Sequence, residues 1–190
     1  MTEPTAPSRL PADATPGGDA IVVGDGGVRV DVYIDFLCPF CRRFEQSAGP
    51  ALGRLVAEQL AHVAYHPMNF LDEASTTRYS TRAAAAAGCA ADQGRFDEYA
   101  HALFENQPPE GGPGLTDEEL IRLGDRAGLP GDAFAGCVSA GRYLEWPSYV
   151  TAQAIAAGVE ATPTVLIGGV PTRPEPGAIT AAVTEAARLA

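Results

Sequence analysis

The sequence predicts an α/β protein in which a central mixed sheet is flanked by helices and an all-helical subdomain is inserted. Three observations support this prediction. Apolar residues at period two mark residues 28–36 as a buried strand, and a helical apolar stripe follows at once. Residues 61–66 and 161–167 also have strand patterns. Between these two strands, residues 75–145 show helical patterns without strand signals, so the insertion divides the α/β unit.

A Cys-x-x-Cys pair stands where the central strand runs into the first helix. Pro39 fits the first helical turn, because the N–H group that proline lacks would have no partner there. Cys38 then lies at the positive end of the helix, where a thiolate is stabilised. Cys41 is one turn further along and can close a disulfide with Cys38. This unit predicts redox chemistry.

Two other interpretations of Cys38 and Cys41 remain open at this point. A zinc knuckle needs two more ligands, but Cys89 and Cys137 are isolated and the three histidines form no metal-site spacing. We therefore expect no metal. The pair could also be two inert core cysteines, since free cysteine is often buried. The intervening proline and the change from strand to helix argue against coincidence.

The first part of the chain contains few long elements. Residues 1–18 are rich in Pro, Gly, Thr and Ala, and we expect a flexible arm. Residues 20–23 form a short strand that we place beside the central one, ended by a hairpin-type turn at residues 24–27. The Gly49–Pro50 pair should bend or break the first helix. Residues 61–66 form a strand parallel to the central one, because a helix separates the two.

The rest of the chain begins with an apolar loop at residues 68–72, which we expect near the paired cysteines. Within the insertion, Thr116 and Glu119 have the spacing of a capping box that starts a helix. A helix over residues 146–157, a strand with a proline near its start, a Gly-Gly turn and a final helix over residues 178–189 complete the chain.

Composition disfavours several classes of partner. The net charge is −11 at pH 7, so the chain lacks the basic patch that nucleic acid or an anionic membrane requires. No stretch approaches the ~20 apolar residues of a membrane span. The first ten residues also lack the apolar core of a signal peptide. We therefore expect either a cytosolic protein or an exported one whose signal is absent from this sequence.

In this order of elements, the chain resembles the DsbA-like branch of the thioredoxin superfamily. The resemblance covers residues 20–190. It depends on Asp-Phe-Leu-Cys-Pro-Phe-Cys at 35–41, on Gly-Val-Glu-Ala-Thr-Pro-Thr at 158–164, and on the position of the insertion. It implies a thioredoxin-like domain over residues 19–74 and 146–190, with residues 75–145 as a helical insertion.

The resemblance also implies roles for individual residues. Cys38 would form the mixed disulfide with a substrate, and Cys41 would resolve it. Pro163 would be the family's cis-proline beside the active-site sulfurs, and the backbone of Thr162 would pair with an extended substrate. The alternative for Pro163 is an ordinary trans proline at the start of a strand.

Two positions depart from the family pattern. Many thioredoxin-like proteins carry a buried acid six residues before the first cysteine, and that position is Val32 here. Asp35 is the nearest acid, and it either relays protons to Cys41 or caps a backbone group. Phe40 stands where the strongest oxidants have histidine. Because Phe40 carries no charge, we expect Cys38 to be less acidic than in those proteins.

Cys89 and Cys137 both lie in the predicted insertion, on apolar helical faces. Four cysteines allow three pairings, and closure of Cys38 with Cys41 leaves these two as the remaining pair. We therefore predict a structural disulfide between Cys89 and Cys137. Such a bond indicates an oxidising, extracytoplasmic compartment. Free thiols at both positions would instead indicate the cytosol.

We interpret the chain as a thiol–disulfide oxidoreductase that acts on cysteine-containing protein substrates. We expect it to be a monomer that needs no metal or organic cofactor and is reset by a separate redox partner. One alternative is a transferase or isomerase that depends on a glutathione-type thiol, and Cys41 counts against it. Another is a peptide-binding, chaperone-like module, which would keep its binding activity in a Cys38→Ser variant.

Overall fold

A computed structural model of the chain describes residues 6–129 and 131–189. Five strands lie within these residues: β1 (Ile21–Val23), β2 (Val28–Ile34), β3 (Ala61–Pro67), β4 (Thr164–Ile167) and β5 (Val170–Thr172). They form one sheet in the order β1-β3-β2-β4-β5. β2 pairs parallel to β3 and antiparallel to β4, so it occupies the middle of a mixed sheet. The predicted thioredoxin-like sheet is confirmed.

The short first strand lies elsewhere than predicted. β1 pairs antiparallel to β3 at the edge of the sheet, with Val22 opposite Ala64, and is not adjacent to β2. Residues 24–27 therefore form no hairpin. On this side, β2 pairs instead with β3, which forms seven paired positions with it, whereas β1 contains only three residues. Gly26 passes so close to Ala61 that a Cβ would lie 2.4 Å from the Ala61 nitrogen.

The segment before β1 packs against the domain. The indole N–H of Trp146 donates to the carbonyl of Gly18 at 2.7 Å, and the Tyr149 hydroxyl donates to the carbonyl of Gly17 at 2.7 Å. Both aromatic groups are buried and need a hydrogen-bond acceptor. Where a flexible arm was predicted over residues 1–18, its final part is thus bonded to the domain. Residues 1–5 lie outside the described residues.

Seven α-helices in the described part of the chain flank the sheet. They are α1 (Pro39–Ala57), α2 (Tyr79–Ala91), α3 (Phe96–Glu105), α4 (Asp117–Arg126), α5 (Asp132–Ser139), α6 (Trp146–Ala156) and α7 (Pro176–Leu189). α1 and α7 pack together and α1 lies against β3. The Gly49–Pro50 pair was predicted to bend or break α1, and the break is wrong because α1 is continuous, while the bend stays a prediction. Pro50 faces solvent, where water can bond the carbonyl that proline leaves without a partner.

The centre of the helical insertion is α2, in which twelve of thirteen residues are buried. Its run of alanines lets α3, α4, α5 and α6 pack around it. The predicted capping box begins α4: the N–H of Glu119 donates to the Thr116 hydroxyl at 3.2 Å, and the N–H of Thr116 donates to the Glu119 carboxylate at 2.8 Å. The insertion shares one continuous core with the α/β domain.

Within residues 6–129 and 131–189, none of the helices is long and apolar enough to cross a bilayer.

Candidate active site

The Cys-x-x-Cys pair follows the C-terminal end of the central strand β2, where the chain enters α1. Cys38 is the N-cap of α1, and Pro39 is the first residue of that helix. The first N–H groups of a helix have no partner within it, and those of Phe40 and Cys41 are directed at the Cys38 sulfur. Both cysteines are free thiols. Their side chains are nearly inaccessible, at 5% exposure for Cys38 and 0% for Cys41.

This environment lowers the pKa of Cys38 from 9.0 to about 6. The largest cause is a hydrogen bond from the Cys41 thiol. Burial acts in the opposite direction, and the Thr162 hydroxyl and the N–H groups of Cys41 and Phe40 add further hydrogen bonds. Burial, together with the adjacent Cys38 thiolate, raises the pKa of Cys41 well above its ordinary value. At neutral pH, Cys38 is therefore a thiolate and Cys41 is a protonated thiol.

The loop before β4 brings Thr162 and Pro163 to the same place. The peptide bond between these two residues is cis. The Sγ atom of Cys38 lies 3.4 Å from the carbonyl oxygen of Thr162. Residues that are more than 120 positions apart in sequence thus meet at one sulfur atom.

Asp35 is fully buried beneath the pair. Its carboxylate accepts hydrogen bonds from the Leu37 N–H at 2.8 Å, the Leu71 N–H at 2.9 Å and the Ser80 hydroxyl at 2.7 Å. Burial raises the pKa of Asp35 to about 6, although these hydrogen bonds lower it, and the Cys38 thiolate raises it further. These contacts correspond to the backbone-capping alternative of the sequence analysis. The group of Asp35 that bonds to Cys41 is the backbone N–H.

Two side chains from the helical part of the chain support the site and were missed by sequence reasoning. Ser80, on α2, donates to Asp35 as described above. Gln107, just after α3, donates through Nε2 to the carbonyls of Phe36 at 2.9 Å and Cys38 at 3.0 Å. It holds the turn that carries Cys38 into α1. No local pattern signals either residue, because their partners lie 45 to 71 positions away in sequence.

A shallow groove of about 460 Å³ opens beside Cys38. It is lined by Cys38, Pro39, Phe40, Phe70, Leu71, Glu110, Glu160, Ala161 and Thr162. The apolar loop predicted near the cysteines thus contributes two of the lining residues. Phe40 is 61% exposed, and the guanidinium of Arg43 lies 4.8 Å from the centre of its ring.

The second cysteine pair is joined. Cys89 on α2 and Cys137 on α5 form a disulfide with a Cα–Cα distance of 5.9 Å, and both residues are buried. The bond connects two helices of the insertion and lies outside the groove at Cys38.

Comparison with known proteins places this geometry in a family. The family model Thioredoxin_4, described as thioredoxin, matches residues 19–183. The chain belongs to the thioredoxin family. Reduced DsbA of Mycobacterium tuberculosis is 35% identical in sequence, and the superposition covers 88% of this chain and 91% of DsbA with a TM-score of 0.77. The reduced disulfide oxidoreductase DsbG of the same organism is also 35% identical, covering 89% and 88% with a TM-score of 0.79.

These two similarities identify the chain as a DsbA-like member of the thioredoxin family. A curated relative is the serine/threonine-protein kinase PknE of Mycobacterium tuberculosis, which is 35% identical over 135 residues. That match covers 66% of this chain, and the chain spans only about a quarter (24%) of the kinase.

In a DsbA-like protein, this site can perform thiol–disulfide exchange. A thiolate at Cys38 is both a nucleophile and a good leaving group, while Cys41 holds its proton. Across the described residues, no group of three or more His, Cys, Asp or Glu side chains could hold a metal ion.

Proposed function

We propose that this protein exchanges disulfides with cysteine-containing protein substrates through Cys38 and Cys41. The lowered pKa of Cys38, at the start of α1 and beside an open groove, is the observation that carries this proposal. A thiol with a pKa of about 6 is almost fully ionised at neutral pH, whereas an ordinary cysteine is not.

The exchange proceeds in two substitutions at sulfur. A substrate thiolate attacks Sγ of Cys38 in the oxidised protein. The Cys38–Cys41 bond breaks, a substrate–Cys38 bond forms, and Cys41 leaves and takes up a proton. A second substrate thiolate then attacks the substrate sulfur of the mixed disulfide and releases Cys38 as a thiolate. The substrate loses two electrons and two protons, of which Cys41 keeps one and solvent receives the other.

The stabilised thiolate supports oxidation of the substrate as the favoured direction. Interactions that stabilise the reduced form make a disulfide a stronger oxidant. The pKa of about 6 at Cys38 lies between the values of ~7 for thioredoxin and ~3.5 for the strong oxidant DsbA. We therefore place the reduction potential between their values of roughly −270 and −120 mV. Each turnover leaves Cys38 and Cys41 reduced, so a partner that accepts two electrons must restore the disulfide.

We propose further that the protein works in an oxidising compartment outside the cytoplasm. The Cys89–Cys137 disulfide supports this proposal, because cytosolic thiols are normally kept reduced. Acid quenching of producing cells, followed by alkylation without a reductant, would leave both residues unlabelled. Labelling of both would place the protein in the cytosol.

Trapping of the mixed disulfide tests the proposed activity. In a Cys41→Ser variant, the Cys38 thiolate attacks a substrate disulfide, and the resulting adduct persists because no resolving thiol is present. We expect a covalent adduct at Cys38 by peptide mass spectrometry, and none in Cys38→Ser. A Cys89→Ala/Cys137→Ala variant serves as the matched control and should turn over substrate normally. Absence of any adduct in Cys41→Ser, with peptide binding retained in Cys38→Ser, would instead support the peptide-binding alternative.

A further inference from the structure

Two carboxylates line the groove beside Cys38. Glu110 lies in the loop between α3 and α4, and Glu160 lies in the loop between α6 and β4. Both side chains are exposed. Neither forms a salt bridge within residues 6–129 and 131–189. Their charge is therefore available to whatever enters the groove.

The remaining walls of the groove are largely apolar. Pro39 and Phe40 come from the start of α1, and Phe70 and Leu71 come from the loop after β3. The guanidinium of Arg43 is engaged over the Phe40 ring and does not line the groove. An occupant thus meets apolar surface around the sulfur and negative charge contributed by two separate loops.

Charge complementarity identifies the occupant. A cation beside the reacting atom is attracted by both carboxylates, whereas an anion is repelled by both. The net charge of −11 adds a long-range field of the same sign, which speeds the encounter with cationic partners. The attacking substrate thiolate is itself an anion, so a neighbouring positive charge in the substrate offsets its repulsion.

We infer that the groove selects protein segments in which the reacting cysteine is flanked by Lys or Arg, and disfavours segments with flanking Asp or Glu. This inference rests on the proposed function and names its substrate class. The chemical step is unchanged: the substrate thiolate attacks Sγ of Cys38, and Cys41 leaves. Glu110 and Glu160 attract the basic substrate segment and so increase its rate of approach and its affinity. Phe40, Phe70 and Leu71 contact the apolar part of the segment.

The test uses three reduced two-cysteine peptides with blocked termini that differ only in the residues flanking the first cysteine: Arg, Gln or Glu. The oxidised full chain is mixed with each peptide, and the second-order rate is measured by rapid acid quench and mass spectrometry. Each rate is divided by the rate of the same peptide with an uncharged disulfide, bis(2-hydroxyethyl) disulfide. This normalisation removes the effect of a flanking charge on the thiol's own reactivity.

We expect the normalised rate of the Arg peptide to exceed that of the Glu peptide about tenfold at low salt, and the ratio to shrink in 0.5 M NaCl. In a Glu110→Gln/Glu160→Gln variant the ratio should fall toward one. The matched control is Glu58→Gln/Glu185→Gln, which removes the same charge at the far end of α1 and in the second half of α7. It should keep most of the preference.

The outcomes separate this inference from the proposed function. Equal rates for the three peptides would overturn the inference while leaving disulfide exchange intact. An equal loss of preference in both double variants would assign the effect to net charge and would also overturn it. Failure to oxidise any peptide, with Cys38 reactive to iodoacetamide once the same protein has been reduced, would instead refute the proposed function.

Discussion

The two cysteine pairs of this chain differ in redox state, although both pairs are buried. Cys38 and Cys41 are free thiols with exposures of 5% and 0%, while Cys89 and Cys137 form a disulfide with exposures of 2% and 3%. The exposed fraction therefore does not distinguish the two pairs. The hydrogen-bond donors around the sulfur atoms distinguish them, because Cys38 is the N-cap of a helix whose first N–H groups have no partner within the helix.

Position within a helix explains the contrast. Cys89 and Cys137 lie inside α2 and α5, where the backbone N–H groups serve the helical hydrogen bonds and cannot stabilise a thiolate. Cys38 and Cys41 are three positions apart in sequence, whereas Cys89 and Cys137 are 48 positions apart. The first pair therefore has the properties of a reactive site, and the second those of a structural cross-link.

The largest expected effect comes from removing the structural pair. Cys89→Ala/Cys137→Ala reopens a loop of 48 residues and should lower the free energy of unfolding by about 4 kcal/mol. Urea denaturation at pH 7 measures this loss. The pKa of Cys38 should stay at about 6 in the same variant. A large shift would mean that the two pairs are coupled, and the distinction drawn above would be wrong.

A smaller effect should follow from Gln107→Ala, which removes the donor to two carbonyls of the active-site turn. We expect a loss of about 1–3 kcal/mol in stability. The pKa of Cys38 should also rise, because the turn no longer aligns the N–H groups of Phe40 and Cys41 with the sulfur. The pH dependence of iodoacetamide alkylation measures this pKa.

The matched control for that prediction is Asn106→Ala. The Asn106 side chain donates to the carbonyl of Ala102, one turn back along the chain, and does not contact the site. It should lower stability without moving the pKa of Cys38. An equal shift in both variants would reduce Gln107 to a purely structural role.

Sequence reasoning could propose Cys38 and Cys41 as the reactive pair because the signals for this pair are local. The period-two run ending at Phe36, the Cys-x-x-Cys spacing and the position of Pro39 all lie within fourteen residues. The parallel pairing of β2 with β3 was also predictable, because the connecting helix dictates it.

The remaining features depend on contacts between distant parts of the chain. β1 could not be placed from its own three residues, since the longer β3 competes for the same edge of β2. Ser80 and Gln107 carry no motif, and their roles arise only when the insertion folds back onto residues 35–38. Local sequence patterns thus predict which cysteines react, whereas contacts formed by tertiary packing determine how far the pKa of Cys38 is lowered.

Thr162 is one of the residues that set the pKa of Cys38. Its hydroxyl helps to lower the pKa of Cys38, so Thr162→Val should raise that pKa by about one to two units, given ~1.5–3 kcal/mol for a hydrogen bond to a charged group. Alkylation of the wild-type protein should have a midpoint near pH 6 and shift upward in the variant. Thr164→Val is the matched control, because the Thr164 hydroxyl donates to the Ala161 carbonyl instead. A shift of similar size in Thr164→Val would contradict this assignment.

The smallest expected effect is a change in the pKa of Asp35 with redox state. Burial raises this pKa to about 6, and the Cys38 thiolate adds to it in the reduced protein. Oxidation removes the thiolate, so the pKa should be lower in the disulfide form. ¹³C NMR titration of the carboxyl group in both forms measures the difference. Asp31, which lies within β2, is the control: hydrogen bonds from His66 and Arg29 hold its pKa at about 2 against the effect of burial, and it should not respond. Identical titrations of Asp35 in the two forms would show that its carboxyl group does not sense the charge on Cys38.

The raised pKa of Asp35 also affects stability. Because this pKa exceeds the unfolded value of 3.8, the reduced protein must become less stable as the pH rises from 4 through 6.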